Sequence, residues 1–174
     1  GATLNAPQSL IHSSNIVTAQ IAEELGGARL RDYFGRLGMG EAPYIELPAR
    51  GRPLSFGGSE WPRVKTMTVG FGHGIAVTPL HLASAYAAMV NGGTWRPTTL
   101  LKLEPGQVPQ GRRVFQPATS ARMNQILRMI TLFGTGRTAD APGYRVGGKT
   151  GSAEKPGHGS CIRTTLASPC TAAC

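Results

Sequence analysis

An α+β fold, a helical cluster plus part of an antiparallel sheet, is what this sequence predicts. Apolar residues recur at helical spacing in four segments ahead of residue 134. A glycine-rich strand candidate, Tyr144 to Glu154, follows late. Glycine and proline cluster between these segments as punctuation, at 24 and 13 residues, above ordinary usage yet short of low complexity. The early strands that a complete sheet of this class needs are not found in the order of elements.

The first helix is expected over 16–25, with Val17, Ile21 and Leu25 on one face. Ser13, Ser14 and Asn15 stand where N-caps stand, and Gly26-Gly27 is the stop. Ala28 to Leu37 makes a second helix with Leu30, Phe34 and Leu37 inward and Gly38 as its end. Residues 39–66, rich in Gly, Pro and Arg, read as a long irregular excursion. Gly70-Phe71-Gly72-His73-Gly74 is a tight glycine loop. Thr78-Pro79 then caps a helix running from Leu80 to Val90, with Leu82, Ala85, Tyr86 and Met89 sharing a face. A strand is expected within Thr94–Glu104 and a turn at Pro105–Gly111. Residues 118–133 give the last helix, with Met123, Ile126, Leu127 and Ile130 inward and Arg122 and Arg128 outward. Gly134-Thr135-Gly136 ends it.

The chain's 174 residues suffice for one domain with a core. Its net charge of +9 is scattered, with no run of five basic residues and few aromatics, so a nucleic-acid partner is not expected. No secretory signal and no bilayer-length apolar run is visible. All three cysteines fall at Cys161, Cys170 and Cys174; with His158 their spacing matches no standard zinc site, so no metal is expected.

Lys149 supports two incompatible readings. Gly143 to Thr150 satisfies every fixed position of G-x-x-x-x-G-K-T, the phosphate-cradling P-loop. A P-loop joins a buried strand to a helix, whose N-terminus helps hold the phosphates. Here Pro142 stands just before the pattern and Pro156 soon after it, which disfavours that context. A nucleotide-binding protein using Gly143–Thr150 stays as the alternative. In the other reading, Lys149-Thr150-Gly151 lines a strand edge. The lysine offers positive potential to a substrate carboxylate, the threonine hydroxyl donates to it, and Gly151 leaves room for a peptide backbone. Ser152 adds a hydroxyl. Alone, the triplet is equally a hairpin with an exposed lysine. It gains weight from Ser13-Ser14-Asn15, a Ser-x-Asn that begins 136 residues earlier.

With these triplets in order, the chain resembles the transpeptidase domain of class B penicillin-binding proteins, the division and elongation type. Further stretches carry the likeness: Gly70-Phe71-Gly72-His73-Gly74 running into Thr78-Pro79-Leu80, then Asn91-Gly92-Gly93, then Gly134-Thr135-Gly136 before Val146-Gly147-Gly148-Lys149-Thr150-Gly151. The resemblance covers about residues 5–156. It implies a partial penicillin-binding-protein and serine β-lactamase-like fold. It also implies a D,D-transpeptidase that cross-links peptidoglycan stem peptides. A serine attacks the D-Ala-D-Ala bond to form an acyl-enzyme, which the amine of a second stem peptide resolves; β-lactams acylate the same serine. By the same resemblance Ser13 relays the proton to the leaving amine and Asn15 holds the substrate amide. Lys149, Thr150, Gly151 and Ser152 bind the terminal carboxylate, and no cofactor takes part. The parent is expected to be anchored in the inner membrane with this domain in the periplasm, and to meet division or elongation machinery proteins. A class A β-lactamase fits less well, because that group favours Asp where Ser14 stands.

The chain departs from the family pattern in three places. No Ser-x-x-Lys precedes Ser13, so the nucleophile is expected to be absent and the chain alone inactive. Ser152-Ala153-Glu154-Lys155 matches that pattern out of order. Residues 157–174 read as an aberrant or disordered tail, the kind of end a frameshift leaves. The membrane anchor and dimerisation region of the family are not found in the sequence.

Overall fold

A computed structural model describes residues 3–48, 50–51, 53–54, 60–156 and 161–167. The chain forms two compact units. One joins residues 1–14 to 122–174, and the other is 15–121.

The unit of residues 15–121 opens with α2 (Asn15–Leu25), which follows α1 (Ala6–Ile11) in the chain, and continues with α3 (Gly27–Arg36). Gly26 alone stops α2, at φ 81°; Gly27 does not stop it but begins α3. The face expected for α2 is corrected. Ala19 and Ala22 are buried, whereas Leu25 is exposed. Small residues face inward because α4 (Arg63–Gly70) packs tightly there: a Cβ on Gly70 would come within 2.5 Å of the Ala22 Cβ. This helix is not expected from the sequence: it begins in the excursion read at 39–66 and ends on Gly70, the first residue of the expected glycine loop. Val64, Thr66, Thr68 and Val69 give it poor intrinsic propensity, and tertiary packing makes up the difference.

Thr78 caps α5 (Pro79–Val90) as expected, through a reciprocal capping box with His81. The buried His81 ring also reaches the Glu41 carbonyl at 2.7 Å. Core residues Leu37, Met39, Ala85, Ala88 and Val114 cluster here, with Tyr33 stacked on Phe115 at 5.8 Å. The strand expected within Thr94–Glu104 shrinks to β1 (Thr94–Trp95), paired antiparallel with β2 (Arg112–Arg113). Pro97 removes a ladder donor. Beyond it Thr99 Oγ1 and Leu100 N bind the Glu46 carboxylate at 2.6 and 2.9 Å instead of a neighbouring strand. These hydrogen bonds hold the Glu46 carboxyl below its usual pKa.

Helix α6 (Pro117–Phe133) passes from this unit into the other. In its first turns the buried Ser120 hydroxyl donates to Met89 O at 2.6 Å and accepts from Gly92 N at 3.0 Å. Further along, Leu127 and Ile130 are buried and Arg122 is exposed, as expected. Arg128 is not outward: its guanidinium binds Asp140 Oδ1 at 2.5 Å and Val146 O at 2.8 Å.

The remaining unit contains α1, the end of α6, a 3-10 turn (Arg137–Ala139), and β3 (Thr150–Pro156) paired antiparallel with β4 (Cys161–Ala167). The sequence reading missed α1, although Asn5 and Gln8 form a capping box around Pro7. The strand expected from Tyr144 begins only at Thr150. Ahead of it two backbone groups go to α6: Val146 O accepts from Arg128 at 2.8 Å and Gly148 N donates to Leu127 O at 3.2 Å. Part of the segment read as an aperiodic tail is corrected to strand: Thr150 pairs with Ala167 and Pro156 with Cys161. Ile162, Thr164 and Thr165 are β-branched, which suits a pleated strand. The rest of that tail, 157–160 and 168–174 with His158, Cys170 and Cys174, lies outside the described residues.

Candidate functional site

The site grows from the C-terminal end of α1. Ser14 N donates to Ser9 O at 2.8 Å and Ser13 N to Leu10 O at 3.3 Å. This is a Schellman cap, which demands a left-handed residue at the position of Ser13. Ser13 sits there at φ 54°, the one non-glycine residue with positive φ among those described. Glycine would hold this place without strain, whereas serine pays about 1–2 kcal/mol. The side chain that glycine lacks is the one in contact with Lys149.

Lys149 Nζ donates to Ser13 Oγ at 2.7 Å and to Thr150 O at 2.8 Å. Half-burial of the lysine lowers its pKa by desolvation, since a charged ammonium loses water there. Thr150 opens β3, and its Oγ1 lies 2.7 Å from Thr135 Oγ1. Gly151 and Ser152 follow, both exposed. Among the described residues only β4 pairs with β3, so its second edge carries no partner strand.

Gly134 sets the two halves close together. A Cβ there would meet Ile11 O at 2.4 Å and Ile130 O at 2.9 Å. The last turns of α1 and α6 therefore touch backbone to backbone, with Ser13 against Lys149 and Thr135 against Thr150. Sequence reading singled out Ser13, Lys149, Thr150, Gly151 and Ser152, and the structure gathers Ser13, Lys149 and Thr150. It missed the hydroxyl of Thr135, which entered only as the middle of a glycine stop. Asn15, the remaining expected site residue, is exposed at the first position of α2 in the other unit.

The P-loop alternative meets a structural obstacle. Thr150 begins a strand and not a helix, so no helix N-terminus faces the Gly143–Thr150 loop from its C-terminal side. Among the described residues no three His, Cys, Asp or Glu side chains are grouped to hold a metal.

Comparison with known proteins shows the family. The penicillin binding protein transpeptidase domain matches residues 1–165. The chain is 45% identical over 157 residues, 88% of its length, to the "Probable peptidoglycan D,D-transpeptidase FtsI" of Caulobacter vibrioides, covering 26% of that protein. It is 34% identical over 146 residues, 83% of its length, to the peptidoglycan D,D-transpeptidase FtsI of Escherichia coli K12, covering 24% of it. The chain thus spans about a quarter of the length of these curated relatives. Among solved structures, the transpeptidase domain of penicillin-binding protein 3 from Burkholderia pseudomallei is similar with a TM-score of 0.85 and 31% identity, over 92% of this chain and 49% of that one. Penicillin binding protein 3 of Mycobacterium tuberculosis, solved with ampicillin, is similar with a TM-score of 0.79 and 26% identity, over 94% and 41%. With Ser-x-Asn, Lys-Thr-Gly and the α+β arrangement all in this order, the chain belongs to the transpeptidase domain family of class B penicillin-binding proteins.

Proposed function

We propose that this chain forms the carboxylate-binding and proton-relay side of a serine D,D-transpeptidase site that cross-links peptidoglycan stem peptides. The contact of Lys149 Nζ with Ser13 Oγ at 2.7 Å, beside Thr150 at the head of β3, carries the reading. A D-Ala-D-Ala terminus lies along the free edge of β3, its carboxylate on the Thr150 and Ser152 hydroxyls near the Lys149 charge.

In acylation the nucleophile's hydroxyl gives its proton to a base that, like the nucleophile, we assign to sequence beyond these residues; its oxygen bonds to the carbonyl carbon, and the bond to the terminal D-Ala nitrogen breaks. The leaving nitrogen takes a proton from Ser13 Oγ, and Lys149 Nζ returns one to Ser13. A lysine with a lowered pKa is suited to this exchange, because its neutral form is more accessible. The amine of a second stem peptide then attacks the acyl carbon and releases the serine. No Ser-x-x-Lys precedes Ser13 in these 174 residues, and we assign the nucleophile to sequence beyond them. A β-lactam, like the ampicillin bound to the mycobacterial relative, follows the same acylation. The reading places the domain where peptidoglycan is, outside the cytoplasmic membrane.

Two measurements test this. The 174-residue chain, incubated with fluorescent penicillin and denatured, should show no covalent band, whereas a longer product of the same gene that includes a Ser-x-x-Lys should show one. In NMR titrations of the chain with a D-Ala-D-Ala dipeptide, the amides of Lys149 to Ser152 should shift. Unmoved amides at millimolar peptide would refute the assigned carboxylate site, and a covalent band on the chain alone would refute the assigned origin of the nucleophile.

A further inference from the structure

The segment 140–148 leads from α6 into the Lys149-Thr150-Gly151 strand head, and it is fastened to a single turn of α6. Arg128 joins two points of it, Asp140 Oδ1 at 2.5 Å and Val146 O at 2.8 Å. Gly148 N donates to Leu127 O at 3.2 Å, an oxygen that also accepts from the buried Thr131 hydroxyl at 3.2 Å. Gly147 lies flat on the same turn, since a Cβ there would come within 3.2 Å of Arg128 N. Val146 itself is buried.

From these contacts we infer that Arg128 is a positioning residue for the reacting end of Lys149, acting through the Val146 carbonyl. The inference rests on the proposed function for its catalytic consequence. Val146 lies three residues before Lys149, a reach of about 10 Å of extended chain. A carbonyl fixed that close leaves Lys149 little freedom, and its ammonium must arrive within 2.7 Å of the Ser13 hydroxyl in the cap that ends α1. Both hydrogen bonds leave the same nitrogen, Nη1, whose two N–H bonds are fixed in the guanidinium plane. A lysine ammonium at the same place keeps the charge and loses that fixed plane. Arg128 touches no reacting atom in this arrangement; it determines where Lys149 stands.

The test uses the intact protein that contains this segment, comparing wild type with Arg128→Lys, Arg128→Met and the exposed-site control Arg122→Met. Two readouts are taken: the second-order rate of acylation by fluorescent penicillin across pH, and the NMR titration of the Lys149 ammonium. Misplacement by about 1 Å can cost up to a hundredfold in rate, so Arg128→Met should acylate about 10- to 100-fold more slowly. Arg128→Lys should fall between it and wild type. In both Arg128 variants the Lys149 titration should move up toward that of an exposed lysine, and the corresponding limb of the rate profile should move with it. Arg122→Met should match wild type in both. Because Arg128→Lys conserves charge, its titration shift reports position and not a lost field. A wild-type titration and rate profile retained in Arg128→Lys and Arg128→Met would overturn the assignment. Should wild type fail to acylate, the transpeptidase reading falls, and the Lys149 titration in Arg128→Lys still decides whether Arg128 positions the lysine.

Discussion

Replacing Gly134 by alanine offers a sharp test of how the site is assembled. The added methyl would lie 2.4 Å from the Ile11 carbonyl oxygen and 2.9 Å from that of Ile130. Ordinary contact begins near 3.5 Å, so the end of α1 must retreat by about 1 Å. Overpacking of this kind costs about 1–3 kcal/mol, offset by about 0.4–1 kcal/mol from a less flexible unfolded chain. A net loss of about 1–2 kcal/mol follows, a drop in Tm of about 2–8 °C. The same retreat would stretch the 2.7 Å contact of Lys149 with Ser13 beyond hydrogen-bonding range. Gly136, two residues on, is the internal control. Its nearest neighbours to a new Cβ are at 3.5 Å, and its φ of −96° suits alanine. Gly136→Ala should therefore be neutral or slightly stabilising. Urea and thermal unfolding of both variants, with m-values compared, measure the difference. Equal stability of the two, or a Gly134 variant as stable as wild type, would refute the close approach of α1 and α6.

Three further outcomes are expected. Ser13→Gly should be more stable than Ser13→Ala by about 1 kcal/mol, because both lose the hydroxyl and only glycine relaxes at φ 54°; thermal unfolding of the pair decides it. Lys149 has a lowered pKa through burial, so the folded chain binds fewer protons than the unfolded one between the folded pKa and about 10.4. Stability should then rise with pH across that window, and the rise should be smaller in Lys149→Met, as read from denaturation midpoints over pH. Ser120→Ala should cost about 1–3 kcal/mol, since it strips partners from Met89 O and Gly92 N at a buried position; a change in midpoint below 0.5 kcal/mol, about the spread of surface substitutions, would contradict the hydrogen bonds assigned there.

Much of the architecture could be read from local signals because those signals are local in origin. Thr78-Pro79 caps α5 through atoms of its own first turn, and Leu127 and Ile130 follow from helical spacing. Helix α1 went unread despite the local capping box of Asn5 and Gln8, but at α4 and after Trp95 the deciding contact lay elsewhere in the chain. Helix α4 forms because Gly70 lets it pack on Ala22, and the strand after Trp95 fails because Glu46 captures its backbone. Lys149-Thr150-Gly151 and Ser13 were legible as motifs because their chemistry depends on residue type. Thr135 was not, since a hydroxyl between two glycines carries no pattern until it is seen 2.7 Å from Thr150. Arg128 looked like a solvent-facing charge because helical period reports the face and not what lies across from it.

The unit that carries Lys149 is built from the two ends of the chain, with residues 15–121 between them. This ordering has a consequence for folding during synthesis. Residues 15–121 are contiguous and can condense while the ribosome is still translating, but Ser13 must wait for a partner 136 residues later. Closing so long a loop raises the entropic cost only slowly with length, by about 0.6 kcal/mol per doubling, yet contacts of such high sequence separation form late. Until the last third of these residues emerges, helix α1 lacks the end of α6 that it packs against. A chaperone or protease that meets the nascent chain would find residues 3–14 without that partner, and the contact of Ser13 with Lys149 would be among the last within these residues to form.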